Sequence, residues 1–164
     1  VWAHGFMSFE GQRFSKSAGV WVELSDAIER HGPDALRYYL LREVPFNGDG
    51  DFSWARFDER YTADLANALG NLASRTTAML EKYCGGVIPD AVDAAVLAAD
   101  ADDLAAYHAA MDGGRGFLLH EGLEALWRIV QRANAYLQER APWTAAKDPA
   151  RLGEVEMVLA TVAR

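Results

Sequence analysis

Cysteine is nearly absent. Cys84 stands alone among 164 residues, so no internal disulfide can form, and the chain suits a reducing compartment such as the cytoplasm. No apolar run approaches the roughly 20 residues needed to span a bilayer, and the opening residues lack the basic-then-apolar pattern of a secretory leader. Membrane partners are therefore not expected. Basic residues are scarce: 16 Lys and Arg face 24 Asp and Glu, a net charge of −8. That balance works against general attraction to nucleic acid, which draws on clustered Lys and Arg, and leaves only local patches for such a role. The four histidines (His4, His31, His108, His120) are scattered. Acids do not make up for them as metal ligands. Asn47, Asp49 and Asp51 alternate like a calcium loop, but Phe52 and Asp58 stand where its glycine and bidentate glutamate belong. His120-Glu121 opens like a zinc helix, but Glu124 occupies the second histidine position. No metal site is expected.

What is present is a 51% hydrophobic composition with strong helical patterning after residue 24. Val1 to Phe9 reads as a short strand and turn leading to Gly11. Ser25 reads as the N-cap of a helix over 26–30 that stops at His31-Gly32. Pro33 restarts a helix at its first turn, with Leu36, Tyr39, Leu40 and Glu43 on one stripe, and Pro45 ends it. Asn47 to Ser53 reads as a turn, with Ser53 capping one helix of roughly thirty residues, about 45 Å at 1.5 Å per residue, which Gly85-Gly86 stops. Asp93 to Met111, Phe117 to Arg140 (halted by Pro142) and Ala150 to Val162 supply further helices. No strand pattern is evident after residue 24. The expected fold is mainly α, an antiparallel helical bundle preceded by a short remnant of an α/β domain. Both ends fall inside secondary-structure patterns, which leads us to expect a fragment of a longer protein.

One loop carries the densest chemistry. Arg13-Phe14-Ser15-Lys16-Ser17, bracketed by Gly11 and Gly19, offers a point charge, two hydroxyls and several backbone N–H groups. Such a loop suits a polyphosphate in a charged transition state, although Ser-Lys-Ser clusters also occur as plain solvated loops. The order His4-Gly5-Phe6, the loop, Asp34 to Glu43, Asp49-Gly50-Asp51-Phe52-Ser53 and later Ala141-Pro142-Trp143 resembles class I aminoacyl-tRNA synthetases, most closely the methionyl-tRNA synthetases. That family usually writes the loop Lys-Met-Ser-Lys-Ser. Ser15, Lys16 and Ser17 match, while Arg13 and Phe14 depart; Arg13 keeps a positive charge in a planar, bulkier form.

The resemblance implies catalytic roles for Lys16, Ser15, Ser17 and Arg13, with Met7 near the adenine of ATP. It also implies tRNA(Met), methionine, ATP and Mg²⁺ as partners and cofactors of an intact methionine–tRNA ligase. Residues 1–53 would be the C-terminal end of the catalytic domain and 54–164 a helical anticodon-binding domain. The His-x-Gly-His-type element and amino-acid pocket of the family are not found here. The segment alone is therefore expected to be inactive and to need the missing catalytic half. Asn71 and Arg75, one helical turn apart, can read a splayed base and hold its phosphate. Trp143, just after a proline-terminated helix, is expected to stand clear as a stacking platform beside Pro142. By resemblance these four form the anticodon face; otherwise they are ordinary helix surface and a packed tryptophan. Two other readings stay open: a non-catalytic tRNA- or protein-binding helical module, and a related synthetase for cysteine, leucine, isoleucine or valine.

Overall fold

The computed structural model describes residues 5–164; the start of the expected first strand, Val1 to His4, lies outside them. The chain is mainly helical with one small sheet. β1 (Met7–Phe9) pairs antiparallel with β2 (Gln12–Arg13) and parallel with β3 (Gly50–Phe52), giving the order β2-β1-β3. β3 corrects the expectation that Asn47–Ser53 is only a turn and that strands end by residue 24. Three residues, two of them Gly and Asp, carry no alternation from which a strand could be read. Only pairing with Met7, Ser8 and Phe9 makes them one.

α1 (Leu24–His31) and α2 (Pro33–Glu43) meet at Gly32, whose φ of 87° is open to glycine and strained for other residues. Glu23, not Ser25, occupies the N-cap position of α1 and makes no capping bond. Ser25 falls one residue inside the helix, in its first turn. Pro33 starts α2 as expected. Ser53 caps α3 (Trp54–Arg60), its hydroxyl accepting from the Arg56 N–H at 3.2 Å. The expected single long helix is helical throughout but not α throughout. Tyr61–Gly70 is π-helical before α4 (Asn71–Cys84) resumes. An alanine-rich stretch reads alike with either winding, so the change leaves no trace in the apolar pattern. Gly85, at φ 63°, ends α4. Cys84, half-buried on its last turn, has its thiol pKa pushed up by burial. α5 (Ala94–Met111), α6 (Leu119–Arg140), the short α7 (Pro142–Ala145) and α8 (Leu152–Val162) complete the chain. Among the described residues no helix is long and apolar enough to cross a membrane.

The chain divides into two compact units, Val1–Leu65 with Ala105–Leu126, and Ala66–Leu104 with Trp127–Arg164. The first is built on Ala27, Ala35, Leu36, Tyr39, Phe52 and Phe57. Tyr39 and Phe57 are fully buried and meet edge to face at 5.3 Å. The Tyr39 hydroxyl donates to Asp51 O and accepts from Ser53 N–H, both at 3.3 Å, tying α2 to β3. Alongside, Glu43 takes hydrogen bonds from Arg56 and Arg60. Burial alone raises its pKa, but the two guanidiniums outweigh burial and hold it below the usual carboxylate range. The second unit packs Leu72, Leu80, Tyr136, Leu137, Val155, Val158 and Leu159 together. In it Asp103 accepts from Arg128 at 2.7 Å and Arg132 at 2.6 Å.

Candidate functional site

The sequence from Ser15 to Val20 folds into a turn closed by its own backbone. Ser15 N–H donates to Val20 O at 2.8 Å and Val20 N–H returns to Ser15 O at 3.0 Å. Between them lies one 3₁₀ turn, Lys16–Ala18. The Ser15 hydroxyl accepts from Ala18 N–H at 3.3 Å and lies 3.2 Å from the Ser17 hydroxyl. Gly19, at φ 73°, lets the chain reverse. Both serines thus shape the turn. Lys16 at its tip is exposed, and among the described residues its ammonium has no ion-pair partner.

The turn hangs from the β1–β2 hairpin. Beside the hairpin lies a cavity of about 420 Å³ lined by Phe6, Met7, Ser8, Arg13, Phe14, Asp49 and Gly50. Met7 is half-buried on β1 and Arg13 is exposed at the end of β2. The Phe14 ring stacks on Phe9 at 6.2 Å, so the apolar residue of the loop is an anchor to the sheet. The acids that imitate a calcium loop bind backbone instead. Asp49 accepts Phe6 N–H at 2.8 Å, and Asp51 accepts Gly11 N–H at 2.9 Å. Sequence reasoning rejected the cation loop but missed this use of Asp51. An acid beside a β-pairing glycine is the only signal it leaves.

The second constellation lies within the second unit. Asn71 and Arg75 are exposed on α4, while Leu72 between them is buried, as the helical period requires. The Arg75 guanidinium sits over the Trp143 ring, 5.3 Å from its centroid. Trp143 differs from the expectation that it stands clear. It is half-buried in α7 and packs against the cluster around Leu137 and Leu159. Pro142 is fully buried at the first turn of α7. Its ring starts the new helix, and the preceding Ala141 takes a left-handed φ of 39° to turn the corner. The structure brings Arg75 and Trp143 together and leaves Asn71 one turn away, while Pro142 offers no surface of its own.

A charged turn on a small sheet is followed in this chain by helices that carry an aromatic–guanidinium pair. Residues 1–77 match the family model for class I tRNA synthetases of the M type. The chain is 42% identical to the methionine–tRNA ligase of Bacillus subtilis over 97% of its own length and 24% of that protein. It is equally similar to the Brucella suis ligase, over 100% of the chain and 32% of that protein. It also superposes on Mycobacterium tuberculosis methionyl-tRNA synthetase bound by methionyl-adenylate with a TM-score of 0.84 and 35% identity, covering 96% of the chain and 32% of that structure. These likenesses place the fold among the class I aminoacyl-tRNA synthetases. Within that class the chain belongs to the methionyl-tRNA synthetase family, and it spans about a quarter to a third of the length of these relatives.

Proposed function

We propose that this segment contributes two working parts of an ATP-dependent methionine–tRNA ligase: the loop that stabilises adenylate formation and a face that reads the tRNA anticodon. In this division residues 1–53 serve the chemistry and 54–164 the RNA. The observation that carries the reading is the exposed Lys16 ammonium, on a backbone-closed turn next to the 420 Å³ cavity, in a chain of this family.

In adenylation the methionine carboxylate attacks the α-phosphorus of ATP, and the bond to the bridging oxygen breaks with release of pyrophosphate. Negative charge grows on the phosphate oxygens. An ammonium that meets this charge more closely in the transition state than in the ground state lowers the barrier. Lys16 supplies that charge. Ser15 and Ser17 hold the turn, Arg13 adds a second cation at its base, and Met7 offers an apolar wall to the adenine. Among the described residues no group of three or more His, Cys, Asp or Glu comes together to hold a metal ion.

On the RNA side, Arg75 lies on an indole that gives a flat apolar surface, with the Asn71 amide one turn away. A splayed base can stack on the free part of the Trp143 ring while Arg75 takes a phosphate. The test is ATP–pyrophosphate exchange by this segment combined with a separately expressed nucleotide-binding half. Restored exchange that depends on Lys16 supports the reading, and exchange indifferent to Lys16→Ala rejects it. Binding assays with wild-type and anticodon-substituted tRNA examine the second part. An equal loss for every tRNA on Arg75→Ala rules out anticodon reading.

A further inference from the structure

We propose that Asp51 is a positioning residue for Lys16, acting through the hairpin that carries the turn; the inference rests on the role of Lys16 given above. β1 and β2 are joined by two residues only, Glu10 at φ 49° and Gly11 at φ 76°. Positive φ at both positions is what a tight two-residue hairpin of the right twist requires. Glycine enters that region freely, whereas a glutamate there costs on the order of 1 kcal/mol. Hydrogen bonds from outside the turn can offset that cost.

β3 supplies them. Asp51 Oδ1 accepts the Gly11 N–H at 2.9 Å and also the Ser8 hydroxyl, while Phe52 O accepts the Glu10 N–H at 2.8 Å. Both central amides of the turn are thus bonded to a strand some forty residues later in the chain. The Ser8 hydroxyl lies opposite Asp51 in register and keeps its carboxylate facing the turn. The neighbours of Asp51, Asp49 and Gly50, line the cavity, but the Asp51 carboxylate is given to the hairpin. It therefore acts on the reaction through another residue.

The path from Asp51 to the ammonium is short and stiff. Only Gln12, Arg13 and Phe14 separate Gly11 from Ser15, and Phe14 is stacked on Phe9. From Ser15 to Val20 the backbone pair closes the turn on itself. The angle of the hairpin turn consequently sets where Lys16 points. An error of about 1 Å in such a group can cost on the order of 10²-fold in rate.

The experiment is ATP–pyrophosphate exchange by the intact ligase carrying Asp51→Ala, Asp51→Asn, Lys16→Ala and the Asp51→Ala/Lys16→Ala pair. Asp51→Ala is expected to lower kcat by about 10- to 100-fold with KM for methionine unchanged. Asp51→Asn, which keeps an oxygen acceptor for Gly11, recovers most of it. In the Lys16→Ala background the Asp51 change costs little more, because the residue it positions is gone. An unchanged kcat in Asp51→Ala, or the same fold-loss with and without Lys16, overturns the proposal. Full exchange in Lys16→Ala alone overturns the role of Lys16 itself and is read separately. If Asp51→Ala does not fold, Ser8→Ala decides: a several-fold lower kcat at unchanged KM supports the proposal, and an unchanged kcat rejects it.

Discussion

The turn at Lys16 and the helix corner at Trp143 each present a cation, and they hold it by opposite means. The first uses almost no side-chain packing. Its shape comes from the Ser15–Val20 amide pair, a serine cap and a left-handed glycine, and its ammonium is left to solvent. The second is all packing. Trp143 is seated against Leu137 and its neighbours, and Arg75 lies over the ring. The difference follows from the two cations. An ammonium is compact and strongly hydrated, so it gains little from an apolar seat and keeps its freedom to meet a new charge. A guanidinium is weakly hydrated and planar, and an aromatic face fixes it at little desolvation cost. Function and stability should therefore separate at the turn and remain joined at the corner.

The largest effect expected is on stability at the packed end. Leu137 is fully buried, and Leu137→Ala should cost about 2–5 kcal/mol in urea denaturation, the range for opening a cavity in a packed core. Next comes Lys16→Ala in the intact ligase. A loss of about 10²–10³-fold in pyrophosphate exchange is expected, on the scale of a missing oxyanion donor. Stability should stay within about 0.5 kcal/mol, as for other exposed positions. Substantial destabilisation by this change would break the comparison from one side. From the other side, Trp143→Ala should weaken tRNA binding by about 1–3 kcal/mol and lower stability as well, with adenylate formation intact. A Trp143→Ala protein as stable as the parent would mean that the ring is not part of the packing. Arg75→Ala, which removes the cation from the ring and its proposed phosphate contact, should weaken tRNA binding and lower stability by about 0.5–1 kcal/mol through the lost cation–π contact.

The smallest effect is a pH dependence. Hydrogen bonds from Arg132 and then Arg128 hold the Asp103 carboxyl below its usual range. A folded-state pKa below the unfolded value gives stability that is fully present above the unfolded pKa of about 3.9. That stability is lost as pH falls through the folded value. The urea midpoint should drop on acidification below about pH 4, and Asp103→Asn should flatten that part of the profile.

Much of this was legible in the residues because local chemistry decides it. Gly32-Pro33 and Gly85 punctuate the chain by backbone geometry and Ser53 by its capping hydroxyl, and the Leu72-to-Leu80 stripe is buried wherever the partner helices come from. Lys16, Arg75 and Trp143 were each identifiable singly. That the last two touch is a tertiary fact, linking positions 68 residues apart in sequence. β3 was invisible because three residues have no period, and the π-helical stretch because alanines and leucines tolerate either winding. Asp51 was noticed as a failed cation ligand and as part of a family-like segment, but not as a hairpin acceptor, since its partners, Ser8 and Gly11, lie more than thirty-five residues upstream.

The closed backbone of the 15–20 turn has a consequence for how Lys16 can travel. Six residues whose first and last members share two backbone hydrogen bonds move as a paddle, not as a string. Whatever displacement carries the ammonium should move the turn together with its hairpin and leave the amide protons of Ser15 and Val20 slow to exchange with deuterium.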